Sequence, residues 1–287
     1  MVTNNPLSKY FRQPALYTTL PSGGQFYNPG SMQFDNTETN ELAVYPMTAK
    51  DEMIMNTPDA LLNGDATVAV IQSCVPGIKD AWDMPIMDMD TVLIAMRVAT
   101  YGHDMEINIT VPKVEEQMNY TIDLRTATDT IDRTKFDDYV PAGSLSFKIK
   151  PMTYRQLTNL QLKQYEQQRI ITQVIEAKLN PADKQAKFNE IFTNMTDITL
   201  QNMKDTIVSV QAEGKEITDR NYINEFVDNM DGQTAQSIKN CLDTQKAIGK
   251  IKPVKVSVPE EMVQRGAPKS IETPISMDQS NFFVSRS

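Results

Sequence analysis

Residues 88–102, which read DMDTVLIAMRVATYG, decide the fold. Residues 92–99 within this stretch are apolar almost all round, which is typical of a helix buried at the centre of a domain. Asp88 or Asp90 is a suitable N-cap, because a short carboxylate accepts hydrogen bonds from the free N–H groups that begin a helix. Gly102 stands where a glycine commonly ends a helix. The sequence therefore predicts a central helix here.

After this helix the hydrophobic pattern changes to a period of two, as in strands with one buried face. The alternating apolar residues are Met105, Ile107, Ile109 and Val111, and then Tyr120, Ile122 and Leu124. They predict an antiparallel pair of strands, with residues 145–149 as a third strand of the same small sheet. Before the helix, residues 41–46 are predicted to form a strand, and Thr48 with Asp51 fits a capping box. Residues 41–152 are thus predicted to form an α+β domain.

Residues 153–249 have the three-and-four spacing of amphipathic helices and are predicted to form an α-helical bundle. The predicted limits are Leu157 to Leu179 for the first helix, Asn180 to Gly214 for the second, Thr218 to Met230 for the third, and Asp231 to Gly249 for the fourth. Ile207 and Val210 are assigned to the apolar face of the second helix. The predicted fold class is therefore α+β, a mixed domain followed by a helical bundle.

The two ends, residues 1–40 and 250–287, are predicted to be an irregular N-terminal arm and an extended C-terminal tail with one short strand. Both contain aromatic residues. The candidate partner-docking residues are Tyr10, Phe11, Tyr17, Phe26, Tyr27, Phe282 and Phe283. An aromatic side chain in such a segment can anchor a partner protein, or it can pack on its own domain. The sequence leaves both alternatives open.

The charge and the cysteine content argue against several classes of protein. The chain has 28 Lys and Arg against 37 Asp and Glu, a formal net charge of −9 at pH 7. This balance argues against nucleic-acid binding, because phosphate contacts need a basic face. The sequence shows no secretory signal and no long apolar stretch, so we expect a soluble protein made in the cytoplasm without membrane insertion. Cys74 and Cys241 fit buried thiols in a reducing compartment.

Residues that could carry chemistry are few. The only histidine, His103, follows Gly102 in a turn, and a catalytic role would need a nucleophile or a carboxylate beside it. Asp83, Asp88 and Asp90 lie close together, but they lack the spacing of a calcium loop. The common phosphate-binding, zinc-protease and serine-hydrolase motifs are also missing. We therefore expect no catalytic residue, no cofactor and no metal.

Five sequence blocks carry a resemblance to a known family. They are LPSGGQFY at 20–27, VYPMTAKDE at 44–52, TPDALLNG at 57–64, VIQSCVP at 70–76 and ATYG at 99–102. In this order they resemble the T4-type bacteriophage base plate (baseplate hub) protein family, of the gene product twenty-six type. The resemblance covers residues 15–150 and is weaker in the helical segment that follows.

The resemblance implies a non-enzymatic baseplate hub protein that acts through protein–protein contacts in baseplate and tail assembly. Its expected partners are other phage baseplate and hub proteins and the tape-measure protein, while formation of a homo-oligomer is left open. Its expected location is the tail baseplate of the virion, or the host cytoplasm during assembly. The alternative is a transient assembly chaperone for the hub or tape-measure protein that is absent from the mature virion. A third hypothesis, a hydrolase that uses His103, rests only on the place of this residue in a turn.

Overall fold

A computed structural model describes residues 5–57, 64–177, 180–275 and 282–283. Helices and short antiparallel strands are mixed along these residues, so the predicted α+β class is confirmed. The α-helices are α1 (Ala49–Met55), α2 (Asp65–Cys74), α3 (Met89–Tyr101), α4 (Leu124–Asp129), α5 (Tyr154–Glu176), α6 (Pro181–Thr206), α7 (Arg220–Asn229), α8 (Gly232–Gln245) and α9 (Glu260–Gln264). Short 3₁₀ helices occur at Ser8–Tyr10, Ala81–Asp83 and Ile86–Asp88.

The strands form three two-stranded sheets and one four-stranded sheet within the described residues. The strands are β1 (Leu16–Thr19), β2 (Glu41–Val44), β3 (Asp104–Thr110), β4 (Gln117–Asp123), β5 (Tyr139–Ala142), β6 (Leu145–Ile149), β7 (Ile207–Ala212), β8 (Lys215–Ile217), β9 (Val254–Ser257) and β10 (Ser270–Thr273). All pairings are antiparallel: β1 with β2, β3 with β4, β9 with β10, and β5 to β8 in chain order.

The chain divides into two compact units whose limits differ from the predicted domains. The first unit contains the described residues of 1–81, 87–134 and 248–287, and the second contains residues 82–86 and 135–247. Residues 135–152 group with the later helices because β6 pairs with β7, which lies some 60 positions further along the chain. The two terminal segments group with residues 87–134 in the first unit.

The first unit is centred on α3, in agreement with the predicted central helix. Nine consecutive residues of this helix, from Met89 to Arg97, are buried, which explains why the sequence is apolar almost all round. Gly102 ends the helix with a φ of 84°. The prediction of an aspartate cap was wrong, because Asp88 stands at the N-cap position without capping the helix through its side chain. The carboxylates of Asp88 and Asp90 instead bind distant parts of the chain.

The rest of the first unit includes the short helix α1 and three small sheets. Thr48 and Asp51 form the predicted capping box at the start of α1. The strands β3 and β4 pair from Asp104↔Asp123 to Thr110↔Gln117, as the period of two predicted. Their apolar face packs against the β9 segment in a cluster that joins Ile109 and Met118 to Val256. The N-terminal segment is less irregular than predicted, because residues 16–19 form β1 on the edge of β2.

In the second unit, the end of the second long helix was predicted wrongly. The helix α6 ends at Thr206, and residues 207–212 form β7 instead of continuing to Gly214. Ile207 and Val210 have a three-residue spacing that fits a helix face, yet they lie in a β-branched run that suits a strand. Pairing with β6 decides the outcome in favour of the strand. For the same reason residues 145–149 join this four-stranded sheet and not the β3–β4 pair.

The helices α5 and α6 form a long hairpin in the second unit. They have 23 and 26 residues and pack against each other, joined by a connection too short for any but an antiparallel arrangement. Asn180 caps α6 and Pro181 is its first residue, as predicted. Only three residues in each helix are buried, so most of the hairpin surface faces solvent. Leu179, which the sequence placed on the first helix, lies outside the described residues.

Candidate protein-docking surfaces

The first candidate surface is a group of aromatic side chains near the N-terminus. Tyr10, Phe11 and Tyr17 are 73%, 58% and 56% exposed. Tyr10 and Phe11 lie at and just after a short 3₁₀ helix, and Tyr17 lies on β1 with its side chain turned away from the core. Exposed aromatic rings close together in sequence offer apolar area that a partner can bury. These three predicted residues are therefore accessible in the free chain.

A single arginine fixes the backbone beside these rings. Arg12 donates from Nη1 to the carbonyl oxygen of Pro46 at 2.7 Å and to Asp51 Oδ2 at 3.3 Å. Its Nη2 donates to the carbonyl oxygen of Ser73 at 2.7 Å and to Ser73 Oγ at 2.8 Å. The guanidinium also lies over the Tyr45 ring. Sequence reasoning missed this residue, since its partners lie more than 30 positions away and no local motif connects them.

Phe26 and Tyr27 are held in the first unit and are less accessible than the sequence suggested. Both are only partly exposed. Tyr27 Oη donates to Asp88 Oδ2 at 3.0 Å, while Ser22 donates to the same carboxylate from its N–H and its hydroxyl at 2.8 and 2.6 Å. Burial together with the neighbouring Asp88 raises the pKa of Tyr27 well above its ordinary value. The loop is therefore tied to the start of α3. Whether these two aromatic residues also contact a partner stays a prediction.

The buried Asp88 carboxylate should make the first unit more stable in mild acid. Burial raises its pKa to about 6, although hydrogen bonds from Ser22 and Tyr27 lower it. Between about pH 7 and about pH 5 the native state therefore takes up a proton that the unfolded chain, with an ordinary carboxyl pKa, does not bind. We expect the free energy of unfolding to rise over this range by about 1 kcal/mol relative to Asp88→Asn, which cannot titrate. Urea unfolding of both chains at several pH values measures this difference. If the free energy of unfolding depends on pH in the same way in the two chains, the prediction is wrong.

Phe282 and Phe283 lie inside the first unit and are both buried. Their rings meet edge to face, with centroids 5.1 Å apart. The side chains that hold them come from α3: Arg97 Nη1 donates to the carbonyl oxygen of Phe282 at 2.6 Å, and Tyr101 Oη donates to that of Phe283 at 2.8 Å. In this conformation the pair packs on its own unit, one of the two alternatives that the sequence left open. Its role as an anchor for a partner stays a prediction.

The α5–α6 hairpin displays a further set of apolar side chains. Its exposed large apolar residues are Tyr165, Ile175, Phe192 and Met195. The groove between the two helices is lined by polar residues, among them Lys163, Gln167 and Gln201, and the side-chain oxygen of Gln167 is buried without a hydrogen-bond partner. Two helices bury little surface on their own. The hairpin therefore leaves apolar area available for another helix or protein.

The candidate residues for chemistry, His103, Asp88 and Asp90, do not converge on one site. His103 is exposed in the turn between α3 and β3. Asp88 binds Ser22 and Tyr27, whereas Asp90 accepts hydrogen bonds from Lys250 Nζ at 2.8 Å and from the N–H of Ile251 at 3.1 Å. No group of three or more His, Cys, Asp or Glu in the described part of the chain could hold a metal ion. Burial raises the pKa of the Cys74 thiol to about 12, so this thiol is not a ready nucleophile.

The geometry is that of an α+β protein that presents aromatic and apolar side chains at its surface. A model of the T4 bacteriophage base plate protein family matches residues 15–262, and the chain belongs to this family. The match extends well beyond residue 150, where the resemblance was expected to end, and it does not distinguish the gene product twenty-six type. No curated protein and no solved structure matches the chain. None of the helices in the described residues has the length and apolar character needed to cross a membrane.

Proposed function

We propose that this baseplate protein is a non-enzymatic component of the baseplate hub, which acts through protein–protein contacts during baseplate and tail assembly. The observation that carries the proposal is the family match over residues 15–262. Exposed aromatic residues at the N-terminus and along the α5–α6 hairpin support it, because such side chains contribute much of the energy of protein interfaces. The partners would be other baseplate and hub proteins. The chain would reside in the tail baseplate of the virion.

The second candidate function is a transient chaperone for the hub or tape-measure protein. The exposed apolar side chains of the α5–α6 hairpin favour it, since a chaperone needs apolar surface that is free until its client binds. Quantitative mass spectrometry of purified virions and of isolated hub intermediates separates the two functions. A fixed copy number in virions supports a hub component. Presence in intermediates alone supports the chaperone, and absence from both contradicts both proposals.

The exposed N-terminal aromatic residues provide a direct test of docking. We expect the triple substitution Tyr10→Ser, Phe11→Ser and Tyr17→Ser to reduce incorporation into tails at least about tenfold, because each ring is a candidate anchor. Stability should change little, since exposed positions usually contribute less than about 0.5 kcal/mol. The control is Met53→Ser, which removes an apolar side chain that is 71% exposed on α1. Equal incorporation of the triple variant and the unmodified chain would exclude a docking role for this surface.

A further inference from the structure

The pocket that holds Phe282 and Phe283 contains a buried positive charge that forms no ion pair with the described residues. Arg97 is only 6% exposed, and its guanidinium lies 5.3 Å from the Tyr101 ring centroid and 5.5 Å from that of Phe282. Nη1 donates to the neutral carbonyl oxygen of Phe282, while Nε is buried and has no hydrogen-bond partner. No carboxylate of the described residues forms an ion pair with this guanidinium. The site therefore has an unused donor next to its ligand.

A carboxylate would bind this arginine better than the present carbonyl group does. Taking a guanidinium out of water costs free energy, and two aromatic faces with one neutral acceptor compensate for it only in part. A carboxylate neutralises the charge and can accept two parallel hydrogen bonds from the guanidinium, one of them from the unpaired Nε, whereas the carbonyl oxygen of Phe282 accepts one. Phe282 thus supplies the aromatic part of a good ligand without its charge.

The neighbouring groups determine where the carboxylate would lie. Tyr101 Oη is 2.8 Å from the carbonyl oxygen of Phe283 and 3.1 Å from Glu52 Oε1. An anion at the Phe283 carbonyl position would therefore be repelled by Glu52. At the Phe282 carbonyl position an anion would face the guanidinium of Arg97. The favourable place for a negative charge is directly after the first aromatic residue.

From this geometry we propose that the pocket around Arg97 and Tyr101 is a docking site for the C-terminus of a partner protein that ends in an aromatic residue. The partner's ring takes the place of Phe282, and its terminal carboxylate binds the guanidinium of Arg97. In the free chain, Phe282 and Phe283 fill the pocket until the partner displaces them. Recognition of such a C-terminus would serve a hub component and a chaperone alike.

A matched pair of peptides tests the proposal. Both carry the sequence of residues 273–282, TPISMDQSNF, with a fluorescent label at the N-terminus. One ends in a free carboxylate and the other in an amide, so they differ only in the charge presented to Arg97. Binding is measured by fluorescence anisotropy with the full-length chain carrying Phe282→Ala and Phe283→Ala, which empties the pocket. We expect the acid to bind at least about tenfold more tightly than the amide, as a charge-assisted pair predicts.

Two further measurements distinguish binding through the carboxylate from nonspecific apolar binding and from misfolding of the variant. In the emptied chain, the additional substitution Arg97→Met should make the two peptides bind equally. In the unmodified chain, a saturating amount of the acid should increase amide hydrogen exchange at Phe282 and Phe283, whereas the amide peptide should increase it less. Equal affinity of acid and amide with Arg97 present, or no effect of either peptide on the tail of the unmodified chain, would overturn the proposal.

Discussion

The substitution Gly249→Ala is expected to destabilise the first unit by about 4 kcal/mol, because it combines backbone strain with a clash. Gly249 has a φ of 75°, where an alanine is strained by about 1–2 kcal/mol. Its N–H donates to the carbonyl oxygen of Asp132 at 2.7 Å, so the backbone cannot easily rotate away. An added Cβ would overlap the backbone of Met87, just before α3. To relieve the overlap, the chain must move away from the start of the central helix.

A second glycine of the same unit separates the strain from the clash. Gly30 has a φ of 87°, but a Cβ there would meet no other atom within 4 Å. We expect Gly30→Ala to cost about 1–2 kcal/mol, the cost of the backbone conformation alone. Hydrogen exchange of the α3 amides at increasing urea concentration reports the stability of the first unit in each chain. If both variants lose a similar amount of unfolding free energy, the backbone near Met87 can move enough to accommodate the added Cβ.

Local patterns predicted the elements that are stabilised by neighbours in the sequence. The capping box of Thr48 and Asp51 and the period of two in β3 and β4 depend only on residues a few positions apart. The end of α6 depends on a different kind of contact. Ile207 and Val210 satisfy the spacing of a helix, and only the pairing of β7 with the distant β6 makes them part of a strand. A local pattern cannot show which of two compatible structures gains that partner.

The candidate site was predictable to a similar extent. Tyr10, Phe11 and Tyr17 are exposed, as a docking surface requires, although their contact with a partner stays a prediction. The position of Phe282 could not be read from the sequence, because its carbonyl group is bound by a residue 185 positions earlier. Arg97 gave one local signal, because it is the lone charge within the apolar stretch of residues 92–99. That signal could indicate a buried polar contact but not the identity of the group that makes it.

Removing the Arg12 side chain is the second change with a large expected effect. We expect Arg12→Ala to destabilise the first unit by about 3 kcal/mol, because it breaks a partly buried ion pair and leaves the Asp51 side chain, which is 5% exposed, without its cation. The carbonyl oxygens of Pro46 and Ser73 lose their donor at the same time. Asp51 keeps hydrogen bonds from Thr48 and from Ser73 Oγ. These keep the expected loss below that of a fully isolated charge.

The exposed pair of Arg125 and Asp123 is the matched control, because it joins the same two residue types in the same unit. Their side chains are 66% and 36% exposed, and Arg125 Nη2 lies 2.8 Å from Asp123 Oδ2. Water and salt screen such a pair, so Arg125→Ala should reduce the free energy of unfolding far less than Arg12→Ala does. Urea unfolding of both variants, with hydrogen exchange of the β1 amides, measures the difference. If the two substitutions cost the same, Arg12 does not fix the N-terminal segment. In that case the backbone that carries the exposed rings of Tyr10 and Phe11 would not be held in a fixed position by Arg12.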